Sequence, residues 1–207
     1  MGEMGLRERK KRRMYQDVSD IAVRLFLERG FDAVSVAEVA AAAGISKPTL
    51  FRYFPAKEDL VLHRIADHET EAARVVAGAA DPVAALRGHF LAGLDRRDPV
   101  TGLNDHPEVL AFHRLLYGTP SLAARVYAHQ ERSEAALAEA LGGDLDARLA
   151  AGQIIAVQRV LAQENWRRIA AGEPVGKVAP DAVRAAERAF ARLAKGLPET
   201  GPAAETR

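Results

Sequence analysis

Apolar residues recur at helical spacing along almost the whole of this 207-residue chain, and no extended alternating run bounded by hairpin turns interrupts them. Alanine, leucine, arginine and glutamate dominate, so no segment offers a sheet a place to start. The fold class this implies is all-α, with about nine helices. The spacing predicts a first helix over 10–29, whose inward stripe is Val18, Ile21, Ala22, Leu25 and Phe26. Longer helices are expected over 57–79, 82–96, 108–117, 121–141, 145–171 and 180–197, with a loop at 98–107. Breaks are expected at Gly118-Thr119-Pro120, at Gly142-Gly143 and over 172–179. The last residues, 198–207, are rich in Pro, Gly, Ala and Glu and are expected to be a disordered tail.

Two short helices near the N-terminus carry the chemistry. Ser35 followed by Glu38 is a capping box, in which the hydroxyl accepts from one backbone amide and the carboxylate reaches back to another. Val36, Val39, Ala40 and Ala43 then form one buried face, and Gly44 stops the helix. Ile45 supplies an apolar plug, and Ser46 caps a further helix with Pro48 in its first turn, where a missing N–H does no harm. That helix buries Leu50 and ends near Phe54, ahead of Pro55. A short capped helix, a glycine turn and a second short helix form a helix-turn-helix. Its second helix exposes Lys47, Pro48, Thr49, Phe51, Arg52 and Tyr53.

Net charge is only +1, so the total argues for no nucleic-acid partner. The distribution says more, because Arg7, Arg9, Lys10, Lys11, Arg12 and Arg13 crowd one short stretch. Such a run suits either phosphate contacts or a solvated tail. The chain has no cysteine, which excludes disulfides, thiolate metal sites and thiol catalysis and suits a cytoplasmic location. No apolar run is long enough to span a membrane. His63 and Asp67 are four apart on an expected helix, yet no third metal ligand accompanies them. With no nucleophile elbow, zinc-protease, P-loop or dinucleotide motif present, neither a cofactor nor an enzymatic activity is expected.

The stretch 31–60, FDAVSVAEVAAAAGISKPTLFRYFPAKEDL, closely resembles the DNA-binding segment of TetR-family regulators. With the helix before it, the resemblance covers residues 14–60. It implies a DNA-binding head over 1–60 and a helical body over 61–197 that binds a ligand and dimerises. It also implies a cytoplasmic homodimer reading an inverted-repeat operator in double-stranded DNA, most often as a repressor released by a small molecule. Carried over residue by residue, Ser35 caps its helix and donates to a phosphate. Lys47, Pro48 and Phe51 face base edges, and Thr49, Tyr53 and Lys57 hold the DNA backbone. Arg52 touches phosphate or base. Phe51 replaces the tyrosine common in the family, keeping the apolar face but not the hydroxyl.

In the body, Phe90, Leu94, Leu110, His113, Tyr117, Gln158, Asn165 and Trp166 are candidate ligand-lining residues, mixing apolar surface with a few polar groups. The aliphatic composition leans towards an apolar effector. The same family resemblance implies that the last two long helices form the dimer interface. The final one carries Val183, Ala186, Phe190 and Leu193 among alanines, a stripe suited either to a partner subunit or to packing within its own. Two rival readings remain at this level: an interaction protein that has lost DNA binding, and a helical enzyme with a vestigial head. Steep salt dependence of DNA affinity separates the first from a true DNA reader.

Overall fold

The computed structural model describes residues 5–196, without the side chains of residues 6–8 and 10–12. The tail expected at 198–207 lies outside the described residues, and so do the side chains of Arg7, Lys10, Lys11 and Arg12 of the basic run. Ten α-helices and one 3-10 turn follow in order among the described residues, and no strand. They are α1 (Leu6–Arg29), α2 (Val36–Ala42), α3 (Lys47–Tyr53), α4 (Asp59–Ala66), α5 (Glu71–Val76) and α6 (Pro82–Asp95). After the 3-10 turn at Pro99–Thr101 come α7 (Pro107–Gly118), α8 (Pro120–Ala140), α9 (Leu145–Ala170) and α10 (Val175–Gly196).

Two compact units emerge, and neither is contiguous in sequence. The first takes residues up to Asp67 together with Ala111–Ala128; the second takes His68–Leu110 and the described residues from His129 onward. In the first unit the α1 stripe of Val18, Ala22, Val23 and Phe26 meets Val39, Leu50, Phe54, Leu60 and Val61, with Leu116, Leu122 and Val126 completing the core. Ser19 is fully buried within it, and its hydroxyl donates to the Leu60 carbonyl at 2.7 Å. That bond satisfies a polar group that would otherwise be costly to bury and fixes α4 along α1.

The second unit is built on α6, α9 and α10 around Leu86, Phe90, Leu94, Ile154, Ala182, Ala186 and Phe190. The α10 stripe of Ala186, Phe190 and Leu193 is therefore core of its own subunit, and not a surface offered to a partner. The helix also starts earlier than expected, with Pro180 in its interior. Proline there removes a bond to the carbonyl of Gly176, but Gly176 is exposed and water can reach that oxygen. Burial of Val175 and Val178 in the core outweighs the loss.

The helix expected over 57–79 divides into α4 and α5 without glycine or proline at the break. The intervening turn carries His68 and Glu69, and its neighbourhood is held by ion pairs to distant helices. Glu71 accepts from His68 at 2.6 Å and from His89 of α6 at 3.1 Å. Glu69 lies 2.8 Å from Arg132 and 3.3 Å from His129, both on α8. Burial pushes the Glu71 carboxyl up, but the bond and charge of His68 and the charge of His89 prevail and hold it below the ordinary value. His129 is pushed down, chiefly by burial. Helical periodicity carries no trace of such partners. Among the described residues no group of His, Asp or Glu is arranged to hold a metal ion, and no helix is long and apolar enough to cross a membrane.

The 3-10 turn is wedged between α6 and α9. Asn165, buried on α9, donates its amide to the Thr101 carbonyl at 2.9 Å. Gly102 has φ +71°, and a Cβ there would lie 2.0 Å from the Ala162 carbonyl oxygen. Gly102→Ala is therefore expected to lower stability by roughly 2–5 kcal/mol, through backbone strain and overpacking together. Gly88→Ala, in the interior of α6 with open space at its Cβ, is expected to be neutral or stabilising by up to about 1 kcal/mol. Chemical denaturation of both variants checks the pair; equal midpoints would show that the turn is not held as described.

Candidate nucleic-acid interface

The interface begins with how α2 is capped. The Ser35 hydroxyl accepts from the Glu38 amide at 3.2 Å, and the Glu38 carboxylate accepts from the Ser35 amide at 2.8 Å. The same carboxylate receives the Ser35 hydroxyl proton at 2.8 Å, while Arg29 at the end of α1 pairs with its other oxygen at 2.7 Å. The Ser35 amide, the Ser35 hydroxyl and then Arg29 hold the Glu38 carboxyl down at about 2. The hydroxyl expected to meet a phosphate is thus directed at the Glu38 carboxylate.

The turn between the short helices is set by Gly44 at φ +66°. Its amide bonds to the Ala41 carbonyl and that of Ile45 to Ala40, a Schellman closure that satisfies two end carbonyls of α2. Ser46 then caps α3, accepting from the Thr49 amide at 3.3 Å, and its hydroxyl lies 2.8 Å from that of Thr49. Leu50 and Phe54 are buried, so the helix can present only its opposite face. On that face Lys47, Pro48, Phe51 and Arg52 fall within an arc of about 140°. All four are exposed, and Phe51 keeps 40% of its surface in solvent.

Aromatic contacts fix the far side of α3. Tyr53 is half-buried and meets Tyr15 of α1 edge-on at 5.1 Å, with Arg52 lying 5.2 Å from the Tyr53 ring. Tyr15 also packs edge-on against Phe54 and stacks on His63 of α4. Its role as a buttress was missed in the sequence, although it lies three residues before Val18 and so continues the α1 stripe. Lys57 is half-buried: its ammonium donates to the Phe31 carbonyl and sits 4.4 Å from the Phe31 ring centre. Two cations and an exposed ring on one exposed arc suit phosphates and base edges, where a phenyl face can pack on a thymine methyl.

The expected ligand-lining residues separate into two groups. His113 and Tyr117 belong to the first unit and stack on each other at 4.6 Å. Burial lowers the His113 imidazole to about 4, so it is neutral at neutral pH. The other six belong to the second unit. Phe90 and Leu94 are buried core, with Phe90 6.1 Å from Phe190, and Leu110 packs against that core half-buried. Gln158 and Trp166 are half-buried on α9. Asn165 has a structural task already, in holding the 3-10 turn.

The sequence profile of bacterial regulatory proteins of the tetR family matches residues 19–63, from within α1 to within α4. The chain is 34% identical to the HTH-type transcriptional regulator TcmR of Streptomyces glaucescens over 176 residues, 79% of this chain and 78% of that protein. Among solved structures, GusR of Salmonella enterica superposes with a TM-score of 0.57 at 19% identity, covering 89% of this chain and 95% of that one. A complex of SmeT with triclosan gives a TM-score of 0.59 at 14% identity, covering 94% and 97%. At such identities these two likenesses speak for the fold alone.

Ser35→Ala is expected to destabilise the protein by roughly 0.5–2 kcal/mol, the usual effect of losing a serine cap. It should also move the Glu38 titration, followed by NMR, up from about 2 towards 4.5. Because the folded carboxyl is depressed, the stabilisation from Glu38 is complete above the unfolded value and is lost as pH falls through the folded one. In the wild type α2 should therefore keep its cap at pH 4 and lose it only near pH 2. A Glu38 midpoint near 4.5 in the wild type would contradict the capping box.

Proposed function

The chain belongs to the tetR family of bacterial regulatory proteins and is a DNA-binding transcriptional regulator, not an enzyme; on that premise we propose that it is a homodimeric repressor that reads an inverted-repeat operator through α3 and releases it when a small molecule binds the body. The observation that carries the DNA reading is the exposed face of α3. Leu50 and Phe54 are buried on one side, and Lys47, Pro48, Phe51 and Arg52 are all open on the other. Lys47, Pro48 and Phe51 face base edges, Thr49 and Tyr53 hold phosphates, and Arg52 serves either. Ser35 reaches a phosphate only by turning its hydroxyl away from Glu38.

Dimerisation rests on α9. Leu145, Leu149 and Val160 are 61%, 54% and 55% exposed, and they fall within about 60° around the helix. A stripe of aliphatic side chains more than half in water is an unfavourable surface for a lone subunit, and a second copy removes it by self-complementary packing. Two heads then meet two half-sites.

Effector release requires a ligand that binds the DNA-competent and DNA-incompetent states with different affinity. Phe90, Leu94, Leu110, Gln158 and Trp166 remain the candidate lining in the second unit, and their mostly apolar character favours an apolar ligand. SmeT, which shares this fold, forms a complex with triclosan.

Selection from random DNA, followed by titration of the winner at several salt concentrations, tests the reading. An enriched inverted repeat with steep salt dependence is expected; the absence of any enriched site would overturn it. On the selected site Lys47→Ala is expected to lose about 1–3 kcal/mol, mostly on matched sequence, as a base-reading contact does. Equal losses on matched and scrambled DNA would remove Lys47 from base reading. Leu149→Glu is expected to convert the dimer to a 22.4 kDa monomer in sedimentation and to weaken operator binding at least tenfold. A dimer that survives this change would place the interface elsewhere.

A further inference from the structure

Lys57 stands where the family resemblance implies a phosphate contact, but the structure gives its ammonium a different occupation. The charge donates to the Phe31 carbonyl and lies 4.4 Å from the Phe31 ring centre and 5.4 Å from that of Phe26. Both rings are buried in the core of the first unit and pack on each other at 5.0 Å. A cation over two ring faces is held by their quadrupoles as well as by the hydrogen bond. The Phe31 carbonyl lies just past the end of α1, where the carbonyl end of the helix dipole also favours positive charge.

The placement of the two residues gives the contact its meaning. Phe31 precedes α2 and Lys57 follows α3, so the bond closes a loop that contains the entire helix-turn-helix. Within that loop α2 and α3 are seven residues each, too short to hold their orientation alone. Ser46 and Gly44 shape the path between them, but neither ties the exit of α3 back to α1. Tyr15 of α1 does so by packing on Tyr53 and Phe54, and Lys57 adds a second tie, to the Phe31 carbonyl, just ahead of the start of α4, whose Asp59 carboxylate accepts from the Ala56 amide at 2.8 Å.

We propose that Lys57 is a positioning residue: by clamping the exit of α3 to the Phe31 carbonyl and its ring, it sets the angle at which α3 enters the DNA groove, and it makes no phosphate contact of its own. The inference rests on the DNA reading above. It predicts a signature opposite to that of a backbone contact, because a clamp acts through the base-reading side chains that it aims.

The test uses the full chain and the operator recovered by selection. Lys57→Met keeps the stem and removes charge and donor; Lys57→Arg keeps both. For Lys57→Met, measured where circular dichroism shows it folded, affinity for the operator is expected to fall at least tenfold. Affinity for scrambled DNA should fall much less, and the salt slope should be unchanged. Lys57→Arg is expected to restore most of the discrimination between matched and scrambled DNA. A slope reduced by about 0.9, with equal losses on both DNAs, would identify a phosphate contact and overturn the clamp while leaving the DNA reading intact. Unchanged affinity in Lys57→Met would overturn it as well.

Reductive methylation of the wild type supplies a readout that does not depend on a variant folding. Lys57 should react more slowly than Lys47 in the free protein, and operator should protect Lys47 while leaving the Lys57 rate unchanged. Protection of Lys57 by operator would overturn the proposal. Failure of the wild type to enrich any DNA site would instead remove the reading on which it rests.

Discussion

A seven-residue helix has almost no stability of its own in water, because nucleation fixes several residues for each hydrogen bond gained. Everything the head does therefore depends on the burial of Leu50 and Phe54 against α1 and its neighbours. That burial gives α3 its inward face, and by subtraction its outward one. Tyr15 reinforces the same side from α1 by meeting both Tyr53 and Phe54, and Ser19 ties α1 to the carbonyl of Leu60 in α4. The exposed face of α3 is thus what remains when the apolar half of a short helix is anchored on a long one.

Polar side chains in the head divide into two groups. Those near the frame are engaged within the protein: Ser35 and Arg29 on Glu38, Lys57 on Phe31, Arg64 on Asp20. Those on the outer arc of α3 stand in solvent. Internal engagement reduces the number of conformations to be frozen when DNA binds, which is how preorganisation contributes to affinity without adding a contact. The same arrangement explains why a residue pattern shared with DNA-contacting relatives need not mean that each matching residue touches DNA.

The body obeys a different constraint. Its 3-10 turn has no core of its own and is kept in place by one buried amide, that of Asn165, and by a glycine that allows backbone to meet backbone. In the sequence Asn165 has the look of a polar group waiting for a ligand. Only its distance to Thr101 reveals that the partner is the chain itself. A similar lesson holds for Glu69 and Glu71, whose partners His89, His129 and Arg132 lie on helices far away in sequence. Their pairing accompanies a break between α4 and α5 that helical periodicity predicts as continuous helix.

The sequence by itself determined whatever depends on neighbours within a few residues. Ser35 with Glu38, Gly44, Ser46 with Pro48, and Phe54 before Pro55 locate α2, the turn and α3, because caps and turns are local hydrogen-bond problems with local solutions. The all-helical class followed from periodicity for the same reason. Tertiary structure decided which apolar side chains are covered. The α10 stripe became core of its own unit, while Leu145, Leu149 and Val160 of α9 were left in water. It also decided where long side chains such as Lys57 and Asn165 end, since their partners lie 26 and 64 residues away and are brought within reach only by packing.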